Sequence, residues 1–180
     1  TSTVFKDNAN IFGKVYFPRL IMPLSIVTSN LVRFGVQMLL LVAMMGYYAS
    51  VGGRFQVTWA IIFFPLLVIL MALLGLGLGL IITAMTTKYR DLSFLVNFGV
   101  QLLMYLTTVI YPLSAAPEKY RVWLELNPMT AIIEAFRLAL LGQGTVTAGS
   151  LAYSAVATLV ILTIGVVTFN RTERTFVDTV

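Results

Sequence analysis

Residues 57–85 read VTWAIIFFPLLVILMALLGLGLGLIITAM and contain no charged side chain. At a rise of about 1.5 Å per residue this segment would form a helix about 43 Å long, whereas the hydrocarbon core of a bilayer is about 30 Å thick. We therefore expect the helix to cross a membrane and to tilt, to kink near Pro65 or to project beyond the lipid. The rest of the chain is too poor in polar residues to cover such a helix in a soluble fold.

Other segments of the chain have a similar length and composition. We predict an all-α integral membrane protein with about four spans, at residues 20–50, 57–86, 92–112 and 148–169. The sequence contains no internal repeat and no low-complexity linker, so residues 1–180 are interpreted as a single membrane domain. A cytoplasmic segment at 1–19 and a tail at 170–180 complete the predicted organisation.

The composition also limits the chemistry of the chain. Hydrophobic residues make up 59% of the sequence and charged residues 11%, where a soluble domain carries about 25% charged residues. The formal charge of +5 comes from basic residues between apolar segments, where they set topology and contact lipid head groups, so no nucleic acid is expected. Cysteine and histidine are absent, which excludes thiol sites, the usual zinc sites and histidine-based triads. We expect no metal or cofactor on this chain and no enzyme activity.

The basic residues predict the topology. They precede the first span, lie between the second and third, and follow the fourth. These residues are Lys6, Lys14, Arg19, Lys88, Arg90, Arg171 and Arg174. We therefore place both ends and the turn near Lys88 in the cytoplasm, and residues 113–144 on the outer side.

Residues 113–144 are too polar to cross a bilayer and have a helical pattern. A short helix is predicted from Pro117 to Leu126. Asn127 and Pro128 then supply an N-cap and a first-turn proline for a second helix, which Gly142 would end. Both helices are amphipathic, so they either form a re-entrant pair that dips into the membrane or lie on its surface.

Three charged residues stand out. Glu134 and Arg137 are three positions apart in the second of these helices and can form an ion pair. Arg33 lies inside the first span, where a buried charge is costly. Arg33 either marks a transport path or an ion pair inside the bundle, or it reaches the cytoplasmic head groups with its long side chain.

The third span carries a polar stripe. Asn97, Gln101, Tyr105 and Thr108 follow one another at spacings of four, four and three, which places them on one face of a helix. Such a face either lines a wet passage or forms hydrogen bonds to a neighbouring helix.

Gly75 and Gly79 form a G-x-x-x-G pattern in the second span, which lets another helix approach closely. The approaching helix belongs either to the same subunit or to a second copy of the chain.

The polar start of the chain predicts a short helix. Residues 7–10 offer several helix caps, and Ile11, Phe12, Val15 and Tyr16 follow at helical spacing. The apolar face of this helix binds either a protein partner or the membrane surface.

An ordered set of motifs resembles one family. Residues 8–19 read NANIFGKVYFPR and precede a span containing Pro23, residues 88–92 read KYRDL, and residues 173–178 read ERTFVD. Together with the segment from Tyr111–Pro112 to Asn127–Pro128–Met129, these motifs resemble the membrane permeases of ATP-binding-cassette (ABC) transporters that export O-antigen, capsule or teichoic acid glycans. The resemblance runs along nearly the whole chain.

The resemblance implies a permease homodimer bound to two ATPase subunits, which moves a lipid-linked polysaccharide outward across the bacterial cytoplasmic (inner) membrane. ATP and magnesium would bind the ATPase, because this chain has no nucleotide-binding P-loop. It also implies roles for three groups of residues. These are ATPase coupling for Asn8, Ile11, Phe12, Val15 and Tyr16, the substrate passage for Asn97, Gln101, Tyr105 and Thr108, and the outer gate for Tyr111, Trp123, Asn127, Pro128, Glu134 and Arg137.

The resemblance covers only part of a typical permease of this family. Permeases of this family begin with a cytoplasmic amphipathic segment and two further spans that have no counterpart here, so we expect the chain to match the later part of a permease. Export of drugs or lipids by an ABC transporter remains an alternative, as does a secondary carrier. A membrane enzyme would depend on Glu118, Glu125 and Glu134, which show no paired arrangement.

Overall fold

The computed structural model describes residues 21–52, 58–88 and 91–177, and all regular secondary structure in these ranges is helical. The α-helices are α1 Ile21–Ser50, α2 Phe64–Lys88, α3 Leu92–Leu106, α4 Glu118–Glu125, α5 Pro128–Leu141 and α6 Ala148–Val177. Short 3-10 helices lie at Trp59–Phe63 and Leu113–Ala115.

Three segments are long and apolar enough to cross a membrane, at Ile21–Ser50, Trp59–Thr87 and Ala148–Thr172. They correspond to the first, second and fourth predicted spans. A multi-pass membrane protein is therefore the architecture of this chain.

The predicted third span is shorter than expected. Helix α3 has 15 residues, about 22 Å at the α-helical rise, and ends at Leu106 rather than at residue 112. Thr107 has an extended backbone with φ −109° and ψ 144°, and its hydroxyl donates to the Leu103 carbonyl oxygen at 2.6 Å. The chain therefore leaves the helix before Thr108.

Pro65 is the second residue of α2, and the 3-10 helix Trp59–Phe63 precedes it. A proline costs no helical hydrogen bond in the first turn, so Pro65 helps to begin the α-helix rather than kinking it. Thr58 N–H donates to the Ala139 carbonyl oxygen at 3.2 Å. The end of α5 therefore lies beside the start of α2, whereas Lys88 lies at the opposite end, about 37 Å away along a helix of 25 residues.

Helices α2 and α6 form the most extensive helix pair. They approach closely at Gly77 and Gly165, because a Cβ atom added at Gly165 would lie 2.5 Å from the Gly77 carbonyl oxygen. A Cβ atom added at Gly75 would meet nothing within 4 Å. Packing within one subunit therefore uses Gly77. This residue lies between Gly75 and Gly79, the two glycines of the predicted pattern.

Helix α5 packs across α2 and α6. Leu70 and Leu74 of α2 and the fully buried Ile132 of α5 form the main apolar cluster. The Phe136 ring contacts Phe64 edge-on at 5.2 Å between centroids and Phe34 of α1 at 6.3 Å. These contacts hold α5 against the first half of α2 and the middle of α1.

The side chain of Arg33 is exposed on α1, and it makes no ion pair within the described ranges. The neighbouring Phe34 contacts Phe136, so Arg33 lies at the level of α5. Among the described residues, Arg33 is therefore not part of an ion pair inside the bundle.

Helix α6 continues to Val177, eight residues beyond the predicted end of its span at 169. The hydroxyl of Thr172 donates to the Thr168 carbonyl oxygen at 3.0 Å, so the polar residues there remain helical. With 30 residues, the helix is longer than the hydrocarbon core requires.

Candidate functional site

Glu134 is the centre of a hydrogen-bond network that joins three segments of the chain. Its side chain is 2% exposed. The Oε1 atom accepts from Leu113 N–H at 3.0 Å and from Arg137 Nη1 at 2.8 Å, and Oε2 accepts from Thr145 N–H at 3.2 Å. One carboxylate thus connects the segment before α4, helix α5 itself and the loop between α5 and α6.

Arg137 extends this network to the end of α3. Its Nη2 atom donates to the Thr108 carbonyl oxygen at 3.1 Å, while Nη1 is paired with Glu134. The predicted ion pair between Glu134 and Arg137 is confirmed. Burial of the Glu134 charge is tolerated because the carboxylate is paired with Arg137 and also accepts from the backbone N–H groups of Leu113 and Thr145.

Asn127 joins the start of α5 to the same part of the chain. Its Oδ1 atom accepts from Met129 N–H at 3.0 Å, and its Nδ2 atom donates to Thr107 Oγ1 at 3.2 Å. The predicted N-cap is confirmed, and Pro128 occupies the first turn. Asn127, Glu134 and Arg137, with the acceptors on Thr107 and Thr108, are called the α5 network below.

Glycines complete the C-terminal end of α5. Gly142 has a left-handed backbone with φ 66°, and its N–H donates to the Leu138 carbonyl oxygen, as the sequence predicted for a terminating glycine. A Cβ atom added at Gly144 would lie 2.5 Å from the Glu134 carbonyl oxygen. The loop can therefore reach Glu134 through Thr145 only because residue 144 lacks a side chain.

Helix α6 also holds the start of α5. The Ser154 hydroxyl donates to the Pro128 carbonyl oxygen at 2.7 Å, and the Tyr153 hydroxyl donates to the Leu126 carbonyl oxygen at 2.9 Å. Neither residue is predicted by the patterns in the sequence. A serine and a tyrosine in an apolar helix do indicate hydrogen bonds between helices, but they do not identify the partner.

The other predicted gate residues lie outside these contacts. Tyr111 packs beside the small buried cluster of Leu113, Ala116 and Leu124, and its hydroxyl donates to the Tyr105 carbonyl oxygen at 3.2 Å. Trp123 is 72% exposed on α4. The structure therefore joins four of the six predicted gate residues, places Tyr111 nearby and leaves Trp123 apart.

Three of the four predicted passage residues lie on α3, and the fourth lies beyond its end. Asn97, Gln101 and Tyr105 are exposed along one face of α3. Thr108 is fully buried beyond the end of that helix, where its carbonyl oxygen is held by Arg137. Its predicted place on the helical stripe is wrong, because the helix ends before it.

The predicted coupling residues, Asn8, Ile11, Phe12, Val15 and Tyr16, lie outside the described residues. Among the described residues, no group of three or more histidine, cysteine, aspartate or glutamate side chains is arranged to hold a metal ion.

Residues 2–141 match the model of the family described as ABC-2 type transporter. The chain belongs to the ABC-2 type transporter family. Helices α1 to α5 fall within the matched range, so the α5 network is part of the ABC-2 region.

Curated relatives agree with the ABC-2 assignment. The chain is 30% identical over 139 residues to the O-antigen export system permease protein RfbA of Myxococcus xanthus, which covers 76% of this chain and 51% of the relative. It is 25% identical over 174 residues to RfbA of Klebsiella pneumoniae, covering 97% of this chain and 65% of that protein. The polysialic acid transport protein KpsM of Escherichia coli is 27% identical over 142 residues, covering 77% and 51%. The chain thus spans about half to two thirds of the length of these relatives.

Proposed function

We propose that this chain is the membrane-spanning part of an ABC exporter permease that moves a lipid-linked polysaccharide, an O-antigen or a similar glycan, outward across the bacterial cytoplasmic membrane. The observation that carries the proposal is the similarity to proteins named for O-antigen export and for polysialic acid transport. Membership of the ABC-2 family and the three apolar helices of membrane-spanning length support it.

In this proposal ATP is hydrolysed outside the chain. An ATPase subunit would bind ATP and magnesium, and a second copy of the permease would complete the passage. Asn8, Ile11, Phe12, Val15 and Tyr16 are proposed to bind the ATPase, since they lie directly before the first membrane helix.

The α5 network is proposed to hold the outer end of the passage closed. Two properties support this role: the network joins three otherwise separate segments, and it depends on one buried carboxylate. Asn97, Gln101 and Tyr105 offer amide, hydroxyl and ring groups on an exposed face, and such groups suit contacts with a sugar chain.

The basic residues and the length of α2 support a proposed topology. Lys88 ends this helix, whereas the C-terminal end of α5 lies beside its start, where Thr58 N–H donates to the Ala139 carbonyl oxygen. We propose that Lys88 and both ends of the protein are cytoplasmic, with the α5 network on the outer side.

Deletion of the gene for the full-length protein in its host tests the function. Lipid-linked glycan should accumulate inside the cells and disappear from the surface, and expression of the intact gene should restore surface glycan. An ATPase subunit should co-purify with the protein. Normal surface glycan in the deletion strain, with a different solute retained in the cells, would overturn the proposed substrate class.

A further inference from the structure

Helix α4 and its C-cap residue have two different faces. On one face, Leu124 is buried in the small cluster with Leu113 and Ala116. The other face consists of side chains at positions i, i+1, i+3, i+4 and i+7, and each of its apolar and aromatic members is more than half exposed. These residues, called the α4 face below, are Lys119, Tyr120, Val122, Trp123 and Leu126.

The composition of the α4 face suits the head-group region of a bilayer. Tryptophan and tyrosine are enriched in that region, because the ring can be buried while its polar N–H or hydroxyl group reaches water. Lys119 supplies the charge of the face, and the acidic residues of the helix, Glu118 and Glu125, lie outside it. A face with a cation and no anion is complementary to the phosphate groups of lipids.

The α4 face also continues the exposed side of a membrane-spanning helix. The Tyr153 hydroxyl of α6 donates to the Leu126 carbonyl oxygen at 2.9 Å, so the end of α4 lies against α6. Hydrocarbon surrounds a spanning helix wherever no protein covers it, and an exposed apolar stripe runs from Tyr153 along the span Ala148–Thr172. The members of this α6 stripe are Tyr153, Val156, Val160, Ile164 and Val167.

The contact with Tyr153 gives the depth of α4 in the membrane. Arg171 is the first basic residue after the apolar part of α6, and in the proposed topology it marks the cytoplasmic end of the span. Residues 153–171 extend about 27 Å at the α-helical rise, close to the hydrocarbon thickness of about 30 Å. The end of α4 therefore lies near the outer boundary of the hydrocarbon core.

From this geometry we propose that the α4 face rests in the outer leaflet of the membrane, with its apolar side chains among the upper acyl chains and Lys119 at the phosphate groups. The choice of leaflet rests on the proposed topology. Trp123 then anchors α4 to lipid and takes no part in the outer gate, in agreement with its separation from the α5 network. Because Leu124 packs with Leu113, the segment that Glu134 holds on one side is fixed to the membrane on the other.

Nitroxide spin labels on single cysteines test this contact in the complete permease–ATPase complex, held in nanodiscs of phosphatidylethanolamine and phosphatidylglycerol. Molecular oxygen is enriched in hydrocarbon and a neutral nickel chelate stays in water, so the two collision rates of a label distinguish lipid from water. The test variants are Trp123→Cys and Val122→Cys. Glu125→Cys is the matched control, because Glu125 is exposed on nearly the opposite side of the same helix. Val160→Cys on the α6 stripe is the reference for a label in lipid.

The labels at positions 122 and 123 should collide more often with oxygen than with the chelate, and the label at position 125 should show the reverse. Their depth should be about 5–10 Å into the boundary between head groups and acyl chains, the depth of an interfacial helix. The label at position 160 should lie deeper, because it is about 10 Å further along α6 than Tyr153.

A preference for the chelate at positions 122 and 123 would show that the α4 face lines an aqueous space, and it would overturn the proposal. Immobilised labels that neither reagent reaches would place a second copy or another protein on the face and would overturn it as well. Trp123 and Val122 are both exposed, so either variant decides the question if the other fails to fold. The measurement requires no transport, and loss of surface glycan on gene deletion therefore tests the proposed function separately.

Discussion

Replacement of Glu134 by glutamine keeps the size of the side chain but removes the charge that organises the α5 network. The carboxylate accepts three hydrogen bonds, from Leu113, Arg137 and Thr145. A glutamine has one carbonyl oxygen and one amide nitrogen, so whichever way the amide is oriented at least one of these donors faces another donor. The Arg137 side chain, which is 17% exposed, also loses its counter-ion.

The expected cost follows from these losses. Removal of one partner of a buried ion pair costs about 3–5 kcal/mol, and the partial exposure of Arg137 favours the lower end of about 3 kcal/mol. That is a change of more than about a hundredfold in the equilibrium between the folded and unfolded states. Glu125→Gln is the matched control, because Glu125 is exposed on α4 and its change should stay within about 0.5 kcal/mol.

A double-mutant cycle isolates the ion pair. Glu134→Gln, Arg137→Met and the double variant are compared as full-length proteins in detergent, with the free energy of unfolding measured by titration with a denaturing detergent. The double variant no longer contains an unpaired buried charge, so its loss should be about 1–3 kcal/mol smaller than the sum of the single losses. A Glu134→Gln protein within about 0.5 kcal/mol of the wild type, or additive single losses, would refute the proposed role of the network.

Three further predictions concern packing, transport and topology. Gly165→Ala should lower the free energy of unfolding by about 1–3 kcal/mol, because the added methyl group clashes with α2. Gly75→Ala places its methyl group in open space, so it should be neutral or stabilising by up to about 1 kcal/mol. Equal unfolding free energies for the two variants would contradict this packing. Tyr105→Ala should reduce glycan export measured at the cell surface while the subunit remains inserted and bound to its ATPase, and a lower yield instead would indicate a packing role. Single cysteines at Lys88 and Lys119 should react with an impermeant maleimide from opposite sides of the membrane, and labelling from one side would reject the topology.

Local features of the site were predictable because both partners lie a few residues apart. Asn127 caps the helix that begins at Pro128, and Glu134 pairs with Arg137 one turn later. The left-handed Gly142 ends the same helix. Spacing alone specifies such contacts once the helix is recognised.

Contacts between distant segments were not predictable in the same way. The apolar sequence around Thr107 contains no glycine or proline that would end a helix, yet α3 stops there, at the residue that Asn127 of the α5 N-cap contacts. The choice of Gly77 rather than Gly75 for close packing depends on how α2 is rotated against α6. No pattern within a single segment specifies that rotation, and likewise nothing near Glu134 in sequence identifies Leu113 as its donor.

The end of α3 connects the two proposed functional regions. The exposed face that carries Tyr105 ends at Leu106, and the next two residues are held by α5: Thr107 by the N-cap Asn127, and Thr108 by Arg137 in the second half of the helix. A displacement of α3 by a passing glycan would therefore pull on both contacts, and Arg137 would transmit the strain to Glu134. Since one carboxylate also holds Leu113 and Thr145, weakening it would release the segment before α4 and the loop after α5 together. In this hypothesis the polar face of α3 and the α5 network act as one unit, so the losses of export in Tyr105→Ala and Glu134→Gln should not be additive when the two changes are combined. Additive losses would separate the two regions.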